Sequence, residues 1–191
     1  MLAVLAARLA TSGRRGAKAR SAWAVAFAIG AVAAFAGGTE HGIRPWRDQC
    51  TRALLRQCAF LGSAMAGLLL VAGVTWETTS GRPRRLLLAG LGLLLWIELA
   101  VVARTFAARE AAVAGAMNIA LLLALALYGA RGGDARLLRW LAGGMALAAA
   151  GLVVQVAGIA PHADFNENDL CHVLLTAALW PFYRAGTTLE S

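Results

Sequence analysis

Asp169 and His172 stand three residues apart, which places both side chains on one face of a helix. With His41 they form a set of two imidazoles and one carboxylate, the donor types that hold zinc and leave one position open for water. Glu40 adjoins His41, and Glu98 lies between Leu-Leu-Leu-Trp-Ile and Leu-Ala-Val-Val. Either carboxylate could serve as the general base of a zinc-dependent hydrolysis. His162 and Glu167 are further donors, although His162, directly after Pro161, suits a solvated loop. The same residues also suit a hydrogen-bond network, and a histidine at a membrane surface is commonly just solvated. For Glu98 the competing readings are that it is neutral, that it pairs with an arginine such as Arg104, or that it faces a polar cavity.

The elements that carry these residues are apolar. The chain has 191 residues, 60% of them hydrophobic and 15% charged, with a mean hydropathy of +0.66. Soluble domains run at about 45–50% apolar and about 25% charged, so disorder is excluded and an integral membrane protein is expected. Three cysteines are too few for a disulfide scaffold. Cys50 and Cys171 fall near the same surface, and Cys58 reads as packing. A bilayer crossing needs about 20 mostly apolar residues. Spans are expected at 21–41, 53–76, 86–104, 110–130, 136–160 and 167–184, after an opening segment of about 1–10 that is short or incomplete. The whole reads as one domain, 1–191, an all-α polytopic bundle of seven helices. Pro161 suits the end of the sixth span, and Asp164 or Asn166 the N-cap of the seventh.

The net charge of +8 has an address as well. Arg14, Arg15, Lys18, Arg20, Arg82, Arg84, Arg85, Arg131, Arg136, Arg139 and Arg184 fall in alternate connections or at their edges. Arg44, Arg47, Arg52, Arg56, Arg104 and Arg109 fall on the other side. The richer face is expected to be cytoplasmic, with the C-terminus on it, as in a bacterial inner-membrane protein. Cations placed between apolar runs point to membrane lipid as the partner and away from nucleic acid. In this topology Glu40, His41, Gln57, Glu98, Asn118, Gln155, Asp169 and His172 all gather in the outer half of the membrane.

The stretches Gly37-Gly38-Thr39-Glu40-His41-Gly42 and Asn168-Asp169-Leu170-Cys171-His172 carry a family likeness. They resemble the signature segments of a family of uncharacterised bacterial seven-helix membrane proteins. That family is distantly similar to the alkaline ceramidase and progestin/adipoQ receptor (CREST) superfamily, whose members of known activity are zinc-dependent amide hydrolases. The resemblance implies a seven-helix fold with His41 and His172 as zinc ligands. The chain departs from the superfamily pattern in having Asn168 four residues before His172, Gly37 four before His41, and Asp48 ahead of the third span rather than an aspartate within it. A third ligand would have to be Asp169, Glu167 or His162.

Two functions follow as expectations. One is a zinc-dependent hydrolase of lipid amides or esters, with His41, Asp169 and His172 on the metal and Glu40 or Glu98 as base. The other is a non-enzymatic membrane protein whose polar residues lock helices together or line a small-ligand or sensor pocket. Transport is less well supported, since no inverted repeat or broken helix pair is visible. Gly62–Gly73 and Gly90–Gly92 read as close-packing surfaces. No phosphate-binding glycine loop and no Gly-x-Ser-x-Gly elbow occurs.

Overall fold

The computed structural model describes residues 1–11, 17–42, 48–105, 120–121, 124–125, 127, 135–162 and 166–188. Among these, six α-helices are defined: α1 Leu2–Thr11, α2 Ala17–Gly42, α3 Gln49–Thr78, α4 Gly81–Thr105, α5 Ala135–Ala157 and α6 Glu167–Thr188. The fifth expected span, 110–130, lies largely outside the described residues. Three described stretches are long and apolar enough to cross a membrane: Lys18–Glu40, Gln49–Thr78 and Ala135–Ala157. The chain divides into two compact units, Met1–Asn118 and Ile119–Ser191.

In the first unit α2 and α3 form an antiparallel pair. Glu40 meets Arg56, Ala33 faces Gly62, Gly30 faces Ala66 and Trp23 faces Gly73, so numbering rises on one helix as it falls on the other. Small residues allow this approach. A Cβ on Gly62 would come within 2.8 Å of the Ala33 Cβ, and one on Gly73 would overlap the Trp23 indole. Trp23 is fully buried, and its Nε1–H donates to the Leu70 carbonyl at 3.0 Å. That bond satisfies the one polar group of a large apolar side chain. By contrast, Gly90 and Gly92 face open space among the described residues, so only the first of the two expected glycine surfaces packs there. The ten-residue α1 packs on α2 with Leu5 and Ala6 buried and Leu2 beside Gly30.

Local chemistry sets the helix ends. Asp48 caps α3, its Oδ1 accepting from the Thr51 N–H at 2.9 Å and its Oδ2 from the Thr51 hydroxyl at 2.8 Å. At the far end Thr79 is the C-cap of α3; its N–H and hydroxyl both donate to the Thr75 carbonyl. The Arg84 guanidinium in turn donates to the Thr79 carbonyl. Arg82, Arg84 and Arg85, expected in a loop, therefore belong to the first turns of α4. Pro83 is tolerated there because the first turn has no intrahelical use for its missing N–H.

In the second unit α5 and α6 are also antiparallel. Gly144 accommodates the Phe182 ring, Gly143 lies by Pro181, and Gly151 meets Cys171 and Leu174. α5 ends at Ala157 rather than at Pro161. Gly158 takes the left-handed conformation (φ +65°), and the Ile159 N–H donates back to the Val154 carbonyl at 3.1 Å. This is a glycine-terminated helix end, which satisfies a carbonyl that would otherwise be left over.

Large apolar side chains point outward on several helices. Phe35 is 77% exposed, Trp96 71% and Val156 75%. Such a surface suits contact with lipid better than contact with water.

Candidate functional site

The polar residues singled out by type and spacing occupy distinct settings. Glu40 lies in the last turn of α2 and is buried. Its Oε1 accepts a hydrogen bond from Arg56 Nη2 at 2.9 Å, across to the second turn of α3. A carboxylate near a helix C-terminus sits in the unfavourable end of the helix dipole, so the guanidinium compensates a real electrostatic cost. The Glu40 side chain is 5% exposed and that of Arg56 43%, so the pair has one dry member and one wet one. A carboxylate held by an arginine is poorly placed to act as a general base.

Asp169 is also engaged. Its Oδ2 accepts from the Asn166 N–H at 3.1 Å, while Asn166 Oδ1 accepts from the Asp169 N–H at 3.2 Å. This reciprocal arrangement caps α6 and identifies Asn166 as its N-cap, one of the two expected. His172, one turn on, is exposed, whereas the neighbouring Cys171 is buried against α5. The Cys171 thiol donates to Gln155 Oε1 at 3.5 Å, joining the two helices at this end. Cys50, Cys58 and Cys171 are all free thiols, and Cys58, expected in packing, is exposed.

Glu98 is different. It is buried within α4, and neither carboxylate oxygen has a hydrogen-bond partner among the described residues. With both oxygens unbonded, the pairing of Glu98 with Arg104 considered from sequence is not formed. His41 falls within α2, but its side chain lies outside the described residues, as does Asn118 altogether. His162 is exposed and Glu167 half-buried. Among the described residues no three or more His, Cys, Asp or Glu side chains come together in a way that could hold a metal ion. Asp169 and His172 offer two donors from one helix, and one oxygen of Asp169 is already committed to the cap.

Asp48, positioned ahead of α3, serves as a cap. The Thr51 N–H, and after it the Thr51 hydroxyl, hold its carboxyl below the ordinary value of 3.8. At the other end of the α2–α3 pair from Glu40, an open groove of about 390 Å³ is lined by Lys18, Ser21, Ala22, Val25, Leu69 and Trp76.

Sequence reasoning missed three partners. Arg56 was counted as a loop cation, Gln155 and Cys171 were not paired, and an arginine–tryptophan cluster went unnoticed. In that cluster the Arg184 guanidinium lies 5.1 Å from the Trp140 ring centre and 5.9 Å from that of Trp180. Arg139 lies 5.8 Å from the Trp140 ring. The available signal was the placement of Trp and Arg together at the ends of two apolar runs.

Fold and polar residues together define an all-α protein with helices long and apolar enough to cross a membrane, in which, among the described residues, buried polar side chains are few. The whole chain, residues 1–191, matches a family of unknown function (DUF6962), and the protein belongs to it. No curated protein and no solved structure matches it.

Proposed function

We propose that this is a non-enzymatic polytopic membrane protein, a seven-helix bundle of a bacterial inner membrane with a cytoplasmic C-terminus, whose polar residues lock its helices together. The observation that carries this reading is the Arg56–Glu40 bond of 2.9 Å. It commits Glu40, one of the two carboxylates expected as alternative bases for a hydrolysis. The cap made by Asp169 acts in the same direction, since it gives a structural use to an expected metal ligand. Glu98 remains as the buried carboxylate with no described partner. An ionisable residue inside a membrane span is costly and is kept there for a purpose.

One observation favours a second reading, the zinc-dependent lipid hydrolase that the family resemblance implies. Glu98 is a buried carboxylate with both oxygens available, as a general base would be, and His172 is accessible on α6. His41, Asp169 and His172 would be the ligands.

Metal analysis separates the two. The first reading expects purified protein to carry well under one zinc per chain and to melt at the same temperature with and without a chelator. It also expects His172→Ala to leave any metal content unchanged. Stoichiometric zinc that is lost in a His41→Ala/His172→Ala variant would overturn the first reading and establish the second.

A further inference from the structure

The arginine–tryptophan cluster lies at the end of the α5–α6 pair remote from Asp169 and His172. On α6, Arg184 is twelve residues beyond His172, about 18 Å at 1.5 Å per residue. Two guanidinium groups here share one indole ring, Arg139 at 5.8 Å and Arg184 at 5.1 Å from the Trp140 centre. Both arginines are exposed. The described acids of this unit, Glu167 and Asp169, are at the opposite end of α6. Each guanidinium carbon lies within cation–π range of a ring centre, and such a cation keeps N–H donors with which it can also engage an anion. Such donors match the oxygens of a phosphate in a forked geometry that an ammonium cannot copy.

The surroundings are those of a membrane surface. Trp180, 55% exposed, lies beside Tyr183 with ring centres 5.9 Å apart and the rings tilted by 35°. Val173, Ala177 and Trp180 follow helical spacing along one exposed apolar strip of α6 that leads away from the cations. A ligand that satisfies both features carries a negative phosphate at one end and a hydrocarbon chain at the other.

We infer that Arg139 and Arg184, held against Trp140 and Trp180, form a binding site for the headgroup phosphate of an anionic phospholipid, whose acyl chain lies along Val173, Ala177 and Trp180. Two like charges around one ring repel each other, and an anion between them relieves that repulsion. A zwitterionic lipid offers the same phosphate but brings its own cation, so it gains less. The site is independent of whether zinc is bound elsewhere.

The test uses the full chain purified in a non-ionic detergent, with added phosphatidylglycerol, phosphatidylcholine or inorganic phosphate. Bound lipid is counted by native mass spectrometry and the unfolding midpoint is followed alongside. Phosphatidylglycerol is expected to bind in preference to phosphatidylcholine and to raise the midpoint, while millimolar inorganic phosphate does neither. A cation near the surface contributes about 1 kcal/mol, so each of Arg139→Gln and Arg184→Gln should weaken phosphatidylglycerol binding about fivefold. The Arg139→Lys/Arg184→Lys variant keeps the charge and loses the fork, and should retain part of the preference. Equal binding of the two lipids, or unchanged preference in both glutamine variants, overturns the inference. An equal effect of inorganic phosphate also overturns it, because the site would then be one for a free anion. Should either glutamine variant not fold, the lysine variant decides: a preference for phosphatidylglycerol equal to or stronger than that of the unaltered protein refutes the forked contact.

Discussion

The Glu40–Arg56 pair makes an asymmetric prediction. Removing one partner of a fully buried ion pair costs about 3–5 kcal/mol, because a desolvated charge is left behind. An exposed pair is worth only about 0–1 kcal/mol. Here the carboxylate side is 5% exposed and the guanidinium side 43%, so the two substitutions should not cost the same. Arg56→Gln leaves Glu40 buried without its cation, and we expect a loss of about 2–3 kcal/mol after discounting for the exposed half of the pair. Glu40→Gln leaves Arg56 able to turn its head outward, and should cost about 1 kcal/mol. The double variant removes both charges and should fall between them, near 1.5 kcal/mol, which leaves a coupling of about 2 kcal/mol in the cycle. Reversible unfolding in detergent micelles, read by tryptophan fluorescence, measures all four proteins. The reasoning fails if Glu40→Gln proves the more damaging substitution, or if the two losses add without coupling. Either result would mean that the pair does not fasten α2 to α3 and would free Glu40 for another role.

Other substitutions probe the packing and the caps. Gly73→Ala pushes a methyl into the Trp23 indole and should cost about 1–3 kcal/mol, whereas Gly90→Ala and Gly92→Ala meet open space and should not destabilise; thermal midpoints compare the three directly. Asn166→Ala removes the N-cap of α6 and should cost about 1 kcal/mol, seen as a lower midpoint and faster amide exchange in the first turn of α6. Asp48 is held below its ordinary value of 3.8 by Thr51, so its ionised cap stabilises the fold above that pH. The contribution is lost as pH falls through the depressed folded value, and Asp48→Asn should flatten this acid limb of the stability profile.

Much of the fold is legible from composition and the length of the apolar runs. Runs of Ala, Leu and Val gave the helices, although several begin or end a few residues from where the runs do. Those shifts have local causes. Arg84 reaches back to the Thr79 carbonyl and so brings the arginine cluster into α4, while Gly158 ends α5 before Pro161 can. Of the two N-caps expected for α6, Asp164 and Asn166, it is Asn166 that caps the helix, and this was legible because a cap depends on residues three apart in the chain.

The expected catalytic set was less legible. Residue type and helical spacing identified Asp169 as a donor but could not show that Asn166 already occupies it. Counting cations by loop assigned Arg56 to a surface, when the antiparallel register of α2 and α3 carries its side chain to Glu40. The tryptophans at the end of the α5–α6 pair likewise acquire meaning only when two helices bring Arg184 and Arg139 to the same ring.

By itself, then, the sequence determined that the chain is helical, strongly apolar and sparing with its acids, because these follow from composition and from apolar runs about as long as a bilayer crossing needs. Tertiary structure alone decided which acid is held and which is left without a described partner. Glu40 and Glu98 are the same side chain, one at the end of an apolar run and one inside another. They differ because the rotation and register of neighbouring helices present an arginine to one and no described partner to the other. Periodicity along one helix carries no information about either.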